Sequence, residues 1–275
     1  MSIKIENTQV FGWEAAIRGA RNPMNSWDKS DSSICYGSSR QKDLCDQCVY
    51  SYDVHGPWNC DWFIGLPGKS TYIIGPNDYK LLMNLCKGGT EESKWRRMIH
   101  VQMDVTAPLY WWKEFETYKV GTVSNSCSTM HKIQAKEFTL DDFSCEHLGH
   151  EQCDEDIING TWDNTIARTG FGGETGHITY PLDILRMTIV CLNAEREKLL
   201  ETKDKKYWYQ MIQLLPTSYN QKRTIDLNYE VLASQYRQRK EHKLDCWHQY
   251  CDWIKTLPYS EFITMEEEVN LSKSA

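Results

Sequence analysis

The segment over residues 98–132 changes its hydrophobic period twice, and this feature constrains the fold most. In its first third, apolar and polar side chains alternate, with the apolar ones at Ile99, Val101, Met103 and Val105. A period of two residues is typical of a strand that buries one face and exposes the other. The segment therefore predicts a half-buried strand near the middle of the chain.

A helix is predicted directly after this strand. Thr106 is a suitable N-cap, and Pro108 suits a first helical turn, where its missing N–H leaves no acceptor unsatisfied. Apolar side chains then recur at helical spacing to about Tyr118, namely Leu109, Trp112 and Phe115. Gly121 follows, and we expect the helix to end before it.

A loop rich in hydroxyl groups is predicted after Gly121. It contains Thr122, Ser124, Asn125, Ser126, Cys127, Ser128 and Thr129, and the basic residues that flank it are Lys119, His131 and Lys132. Loops on a rigid element often carry binding residues. The pattern indicates an anion-binding site, and a solvated connector is the alternative interpretation.

The rest of the chain mixes short strands with long helices. Residues 2–11 predict an edge strand, and a helix follows from Gly12. Long helices are predicted over residues 181–202 and 205–215, and a third is predicted after Asp226 as its N-cap. This mixture predicts an α/β (α+β) fold.

Composition narrows the classes of function. The 275 residues carry a formal net charge of −7, which argues against non-specific binding to polymeric nucleic acid. No apolar run approaches the roughly 20 residues of a membrane span, and the N-terminal residues lack a signal-peptide core. We therefore expect a cytoplasmic protein without a membrane partner. Eleven Trp and fifteen Tyr predict either an aromatic core and subunit interface or stacking on flavin and base rings.

A cysteine-rich stretch over residues 22–75 lacks hydrophobic periodicity and is interpreted as an insertion. Cys45 and Cys48 form a C-x-x-C pair that Cys35 and Cys60 flank at irregular spacing, and four thiolates could hold a structural zinc ion. Stretches of this length without regular structure are uncommon unless something fixes them. Free thiols in a surface loop are the alternative.

Residues 107–129 resemble the signature segment of the flavin-dependent thymidylate synthases. In that family a strand, an Ala-Pro pair and a helix precede a loop of the pattern R-H-R-x-x-S-x-N-E-x-S-x-R-Y. Ala107 and Pro108 match the Ala-Pro pair. In the same register the family's Arg-His-Arg corresponds to Thr117, Tyr118 and Lys119, and its Ser, Glu, Ser and Arg correspond to Thr122, Asn125, Cys127 and Thr129. The motif is degenerate in residue type and agrees mainly in spacing.

Two further segments resemble the same family. The family has an Asn and, eleven residues later, an Arg before a Gln-Trp-Glu segment. Asn228 and Arg239 keep that spacing, and Trp247 lies within one residue of the expected Trp. Glu230 stands where the family has an intermediate Arg. In the flavin-binding turn Ser93 matches the family Ser, and the adjacent Arg96 and Arg97 suit either a flavin pyrophosphate or an exposed charged turn.

The resemblance implies one domain over residues 1–275, in which a central sheet has flanking long helices and carries the insertion at 22–75. It implies a homotetramer with shared active sites. The implied reaction is C5 methylation of dUMP to dTMP, with methylenetetrahydrofolate as carbon donor, reduced FAD as hydride source and NADPH as reductant of the flavin. The alternative is a catalytically inactive homologue that serves as a nucleotide-binding or protein-interaction module.

The resemblance also implies a set of ligand contacts. The implied FAD-binding residues are Ser93, Arg97, Lys119, Asn125, Asn228 and Arg239. The implied nucleotide-binding residues are Lys119, Thr122, Ser126, Cys127, Ser128, His131, Lys132 and Arg239. No catalytic residue is assigned. We expect the turn after Tyr118 and the helix with Asn228 and Arg239 to converge, across a subunit boundary, in one cationic slot for flat, phosphorylated ligands.

Overall fold

The computed structural model describes residues 3–35, 71–149 and 181–265. The strands are β1 (Lys4–Phe11), β2 (Ser33–Cys35), β3 (Thr71–Ile73), β4 (His100–Pro108), β5 (Thr122–Ser126) and β6 (Asn220–Asn228). The helices are α1 (Trp13–Arg21), α2 (Pro76–Lys87), α3 (Leu109–Phe115), α4 (Thr129–Lys132), α5 (Pro181–Thr202), α6 (Lys205–Leu214), α7 (Tyr229–Arg239), α8 (Asp245–Lys255) and α9 (Glu261–Thr264). Among these residues, no helix is long and apolar enough to cross a membrane.

The larger of the two sheets has four strands, in the order β1-β4-β6-β5. The alternation predicted for β4 is confirmed, since Val101, Met103 and Val105 are buried while Gln102 between them is exposed. The edge strand predicted near the N-terminus is confirmed as β1. A separate antiparallel pair joins β2 to β3, with Ile34 opposite Tyr72. The mixed α/β (α+β) fold class is therefore confirmed.

Both predicted ends of the helix in the central segment are wrong, and so is the predicted loop. The helix begins at Leu109 rather than after Thr106, because the strand continues to Pro108, which becomes the N-cap residue. It ends at Phe115 rather than near Tyr118. The backbone N–H groups that open the helix bond to another segment, as in Leu109 N to Tyr219 O at 3.0 Å. The expected hydroxyl-rich loop is largely the edge strand β5. All but the first residue of β5 are exposed, so no alternating pattern marked it as a strand.

The helix capped by Asp226 also differs from its prediction. β6 continues to Asn228, and the Asn228 side chain caps α7 by accepting a hydrogen bond from Val231 N at 3.1 Å. Asp226 instead lies in β6, where its carboxylate accepts from Gln102 Nε2 at 3.0 Å. The long helices over 181–202 and 205–214 begin and end close to their predicted positions.

The chain packs as two compact units. The first unit comprises Met1–Glu6, Asp104–Thr117 and Ser124–Thr224, and the second comprises Asn7–Met103, Tyr118–Val123 and Ile225–Ala275. The core of the first unit contains Ile133, Phe138, Phe143, Leu185, Ile189, Leu192 and Met211. Asn193 of α5 fixes the chain at Phe138, since its amide bonds to both Phe138 N and Phe138 O at 2.8 and 2.9 Å. A single domain over 1–275 stays a prediction.

Aromatic rings fill the core of the second unit. Trp13 of α1 contacts Tyr229 and Tyr259 edge-on, with ring centres 5.2 Å apart in both pairs. Phe262 of α9 meets Trp95 in the same manner at 5.2 Å. Such edge-to-face pairs stabilise by more than their buried area alone. Much of the aromatic content of the chain is therefore core packing.

A buried ion pair connects α1 to α2 in the second unit. Arg21 Nε donates to Asp78 Oδ1 at 2.6 Å, and both side chains are almost fully buried. The other carboxylate oxygen accepts from the hydroxyls of Ser30 and Ser32 at 2.7 and 2.6 Å. Burial alone would raise the pKa of Asp78, but the bonds from Ser32, Ser30 and Arg21 outweigh it and lower the pKa below its ordinary value. Asp78 therefore remains a carboxylate in the folded protein at neutral pH.

Candidate functional site

The end of α7 meets the turn before β5 within the second unit. Arg239, the last residue of α7, donates from Nε to the hydroxyl of Tyr118 at 2.9 Å. Its guanidinium carbon lies 4.8 Å from the ring centre of Trp247 and 5.7 Å from that of Tyr118. These distances are those of cation–π contacts. We call Tyr118, Arg239 and Trp247 the Arg239 cluster.

The Tyr118 hydroxyl has a defined orientation in this cluster. It donates to Gln238 Oε1 at 3.0 Å while its oxygen accepts from Arg239. A phenol has one proton to donate, so this proton points to Gln238 and leaves the oxygen to Arg239. The arrangement fixes the plane of the half-buried guanidinium.

Gly121 allows the turn to approach α7 closely. Its φ of 78° lies in the left-handed region that favours glycine. A Cβ at this position would lie 2.9 Å from Asn228 Nδ2 and 3.1 Å from Val231 Cγ2. The N-terminal end of α7 therefore packs directly on the backbone of the turn.

Helix α8 carries Trp247 and packs against α7. Trp247 is fully buried, and its ring meets Tyr250 edge-on at 5.6 Å. The Tyr250 hydroxyl donates to Gln235 Oε1 of α7 at 2.9 Å. Burial raises the pKa of Tyr250 well above its usual value and raises the pKa of the Cys251 thiol to about 11. Both groups therefore stay neutral at neutral pH, as expected of side chains in a packed core.

The acidic residue at position 230 has a basic partner within the second unit. Glu230 Oε2 lies 3.4 Å from Arg96 Nη1, and both side chains are largely buried. Arg96 Nη2 further contacts Met265 Sδ at 3.3 Å. Arg96 thus acts as the partner of Glu230, while the neighbouring Arg97 is exposed.

Three other predicted contacts in the second unit have different surroundings. The Ser93 hydroxyl donates to Gly89 O at 2.6 Å and so stabilises its own turn. Lys119 is exposed beside Tyr118. The Thr122 hydroxyl oxygen is buried and has no hydrogen-bond partner among the described residues. Of the three, the Thr122 side chain is the one with an unsatisfied polar atom.

The remaining predicted contacts belong to the first unit. Asn125, Ser126, Cys127 and Lys132 are exposed. The Ser128 hydroxyl caps the short helix α4 by accepting from Met130 N and His131 N at 3.2 and 3.1 Å. An N-cap oxygen of this kind is already used by the backbone.

His131 lies at an open cavity of about 520 Å³ in the first unit. The cavity is bounded by α4, the end of α5 and the start of α6. Lys203, Lys205 and Trp208 also line it. Of the predicted contacts, Arg239 therefore belongs to the Arg239 cluster of the second unit and His131 lines this cavity of the first unit.

The predicted zinc site lies outside the described residues. Cys45, Cys48 and Cys60 belong to the part of the chain that the structure does not describe, and only the backbone of Cys35 is described. Within the described ranges, no group of three or more His, Cys, Asp and Glu residues is arranged to hold a metal ion. The zinc site stays a prediction.

Three residues with clear structural roles were missing from the predicted contacts. Tyr118 matches the His of the family motif in register but not in type, so its role as partner of Arg239 could not be carried over. Gln238 precedes Arg239 and carried no motif signal. Trp208 lies far along the sequence from His131, and only the fold places both at one cavity.

Comparisons of this chain with known proteins found similar solved structures. No protein-family model and no curated protein matches the sequence. Thymidylate synthase X from Helicobacter pylori, solved with FAD and dUMP, matches with a TM-score of 0.54 and 12% identity over 94% of this chain and 95% of that chain. A second structure, the flavin-dependent thymidylate synthase of Helicobacter pylori complexed with FAD and dUMP, gives 0.52 and 12% over 95% and 96%. Both are structures of the same Helicobacter pylori enzyme, and this chain shares their fold.

Proposed function

We propose that this protein is a divergent flavin-dependent enzyme of the thymidylate synthase type that acts on a pyrimidine nucleotide. The proposed reaction is C5 methylation of dUMP to dTMP with reduced FAD and methylenetetrahydrofolate. The proposal is supported by the fold shared with two structures of one enzyme, each solved with FAD and dUMP. The Arg239 cluster is the observation that carries it to particular residues.

The cluster combines the two properties that a flat, phosphorylated ligand requires. Arg239 provides a guanidinium, which can bind a phosphate through paired N–H donors. Tyr118 and Trp247 surround it with aromatic rings, and the Tyr118 hydroxyl adds a polar group. The contact was expected across a subunit boundary, but Tyr118 and Arg239 meet within one chain. A single subunit can therefore assemble this half of the proposed site.

The buried hydroxyl of Thr122 supports a ligand beside the same turn. Thr122 stands in the position of the family's first loop Ser, and its oxygen lacks a partner among the described residues. A buried polar atom without a partner costs about 1–3 kcal/mol. A ligand with a hydrogen-bond donor near this turn would remove that cost.

The residues of the chain would bind and orient rather than carry out the chemistry. When bound, reduced FAD supplies the hydride, and NADPH would regenerate it. Arg239 and the exposed Lys119 would neutralise phosphate charge, and Trp247 would keep the guanidinium in one plane. The other proposed contacts are Ser93, Arg97 and Asn228 in the second unit and Asn125, Ser126, Cys127, Ser128, His131 and Lys132 in the first unit. We include a cytoplasmic homotetramer in the proposal, and sedimentation equilibrium tests the number of subunits.

A binding protein without turnover is the second candidate, and one observation favours it. Thr117 and Thr129 stand where the family has Arg, and the Thr117 hydroxyl already donates to Glu114 O at 2.8 Å. Each Arg–phosphate contact contributes about 1.5–3 kcal/mol. A chain without two of them would bind the nucleotide more weakly, and it would keep the fold without the reaction.

Ligand binding to the purified full chain tests the proposal. Flavin fluorescence measures FAD affinity, and calorimetry measures dUMP affinity. We expect both ligands to bind, and we expect Arg239→Ala to weaken FAD or dUMP by at least about tenfold. Arg237→Ala is the matched control, because Arg237 is an exposed residue of the same helix. Its affinities should stay within twofold of the wild type.

A second variant distinguishes a loss of ligand binding from a loss of the fold. Tyr118→Phe keeps the ring on Arg239 and removes the hydroxyl, so the circular dichroism spectrum should stay unchanged while affinity falls. Formation of dTMP from dUMP, followed by mass spectrometry, then distinguishes the enzyme from the binding protein. A colourless protein that binds neither FAD nor dUMP would refute both candidates.

A further inference from the structure

The cavity beside His131 has the size of a small-molecule site. Its volume of about 520 Å³ lies within the range of roughly 300–1,000 Å³ that is usual for ligand pockets. All of its lining residues belong to the first unit. The cavity therefore exists within one compact unit and shares no lining residue with the Arg239 cluster.

Basic side chains line the cavity, and none of the described residues in its lining is acidic. Lys203 Nζ donates to Leu200 O at 2.6 Å, which uses one of its three N–H groups. Lys205 Nζ lies 5.7 Å from the ring centre of Trp208 and 5.2 Å from that of Tyr209. His131 adds an imidazole on the α4 side. The charge of the lining favours an anion.

The nearest acidic residue in sequence is paired elsewhere. Asp204 lies between the two lysines, but its carboxylate accepts from Lys206 N at 3.0 Å and pairs with Lys206 Nζ at 3.2 Å. Lys206 does not line the cavity. Lys206 therefore pairs with Asp204, while Lys203 and Lys205 line the cavity.

Lys203 ends α5 in the left-handed conformation that commonly terminates a helix. Its φ is 60°, and Lys203 N bonds to Leu199 O at 2.9 Å. This helix end sets where Lys203 leaves α5 beside the cavity.

Apolar surface lies next to the charges. Met130 and Leu200 line the cavity although 48% and 41% of their surfaces are exposed, so both present apolar area that the fold leaves unburied. Trp208 is fixed beside them, because its indole Nε1 donates to Met130 O at 3.0 Å. An inorganic anion would use the lysines and leave this apolar wall without a contact.

We propose that this cavity binds a small organic anion, an aromatic body that carries one phosphate or carboxylate group. The anionic group would lie among Lys203, Lys205 and His131, and the ring would pack on Met130, Leu200 and Trp208. The site goes beyond the proposed function: none of its residues belongs to the Arg239 cluster, and His131 is the one lining residue that also stands among the proposed nucleotide contacts.

Calorimetry of the full chain with defined probes tests this site. Phenyl phosphate and benzoate carry both features, inorganic phosphate carries only the charge, and benzyl alcohol carries only the ring. We expect phenyl phosphate or benzoate to bind at least about tenfold more tightly than either single-feature probe. The stronger of the two identifies phosphate or carboxylate as the anionic group.

Matched variants locate the binding. Lys203→Gln combined with Lys205→Gln should weaken the aromatic anion by at least about tenfold, whereas Lys206→Gln should leave it within twofold. Leu200→Glu, at an exposed position, should abolish binding without loss of the fold. Arg239→Ala should have no effect on this affinity. Equal affinity in the Lys203/Lys205 and Lys206 variants, or no binding of either aromatic anion at millimolar concentration, would overturn the proposal.

Discussion

Arg96 and Glu230 form a largely buried ion pair in which Nη1 and Oε2 are 3.4 Å apart. Glu230 stands at a position where the family that the sequence resembles has Arg. In this chain the charge at that position is negative, and Arg96 of the 3-10 helix Ser93–Met98 is its partner. The acidic side chain at the start of α7 is therefore part of the packing of the second unit.

Removal of one partner of this pair should destabilise the protein. Glu230→Ala leaves the Arg96 guanidinium buried without its counter-charge, and we expect the free energy of unfolding to fall by about 3 kcal/mol. Urea denaturation measures the change. Glu241→Ala, at an exposed position of the same unit, should stay within about 0.5 kcal/mol of the wild type. Equal stabilities of the two variants would show that the ion pair contributes nothing.

Gly121→Ala should test the close approach of the turn to α7. The variant adds a Cβ about 2.9 Å from Asn228 Nδ2 on a backbone with φ of 78°. Gly89→Ala is a matched control, because its φ is 95° but no atom lies within 4 Å of the added Cβ. Both variants carry the left-handed strain of about 1–2 kcal/mol, so we expect Gly121→Ala to be the less stable in urea. A larger loss in Gly89→Ala would contradict the packing described for Gly121.

The Asp78 network predicts a loss of stability in acid. The pKa of Asp78 is below its ordinary value of 3.8 in the folded protein, because the bonds from Ser32, Ser30 and Arg21 outweigh the effect of burial. The unfolded state therefore binds a proton first as the pH falls. The stabilisation should be complete above about pH 5 and should be lost as the pH falls through the folded pKa.

Asp78→Asn measures this contribution. The difference in unfolding free energy between wild type and variant should be constant from pH 7 to about pH 5 and should shrink below about pH 4. Asp28→Asn, at an exposed position of the same unit, should show no comparable change. A difference that grows as the pH falls would mean that folding raises the pKa of Asp78 instead of lowering it.

Alkylation of cysteines should report on the proposed nucleotide contact at Cys127. Cys127 and Cys191 both have exposed thiols, so iodoacetamide should modify both in the free protein. Saturating dUMP should protect Cys127 and leave Cys191 as an internal reference. Peptide mass spectrometry measures the two rates, and equal rates with and without dUMP would remove Cys127 from the proposed contacts.

The sequence predicted the elements whose patterns depend on burial. Val101, Met103 and Val105 are buried at every second position, so β4 could be recognised, and the apolar stripe of Leu185, Ile189 and Leu192 marked α5. β5 lies at the sheet edge, and all but its first residue are exposed, so its pairing left no trace in hydrophobicity. Asn228 was not recognised as the N-cap, because Asp226, two residues earlier, is an equally suitable type of N-cap residue.

The candidate site depended on contacts that local patterns do not encode. Tyr118 and Arg239 are 121 residues apart, and only the resemblance suggested that their segments meet. The cavity was not predicted, because Met130 and Trp208 are 78 residues apart and their hydrogen bond follows from the packing of α4 on the α5–α6 pair. Ser93 stays a predicted ligand contact, and the structure adds that its hydroxyl donates to Gly89 O within one turn.

A crystal structure of the full chain with FAD and dUMP would test the central claim most directly, because it locates both ligands relative to Arg239. We expect a phosphate or ring of one ligand in contact with Arg239, with Tyr118 and Trp247 beside it. FAD and dUMP bound elsewhere, or an Arg239 side chain closed between its two rings with no ligand contact in the saturated crystal, would contradict the proposed site.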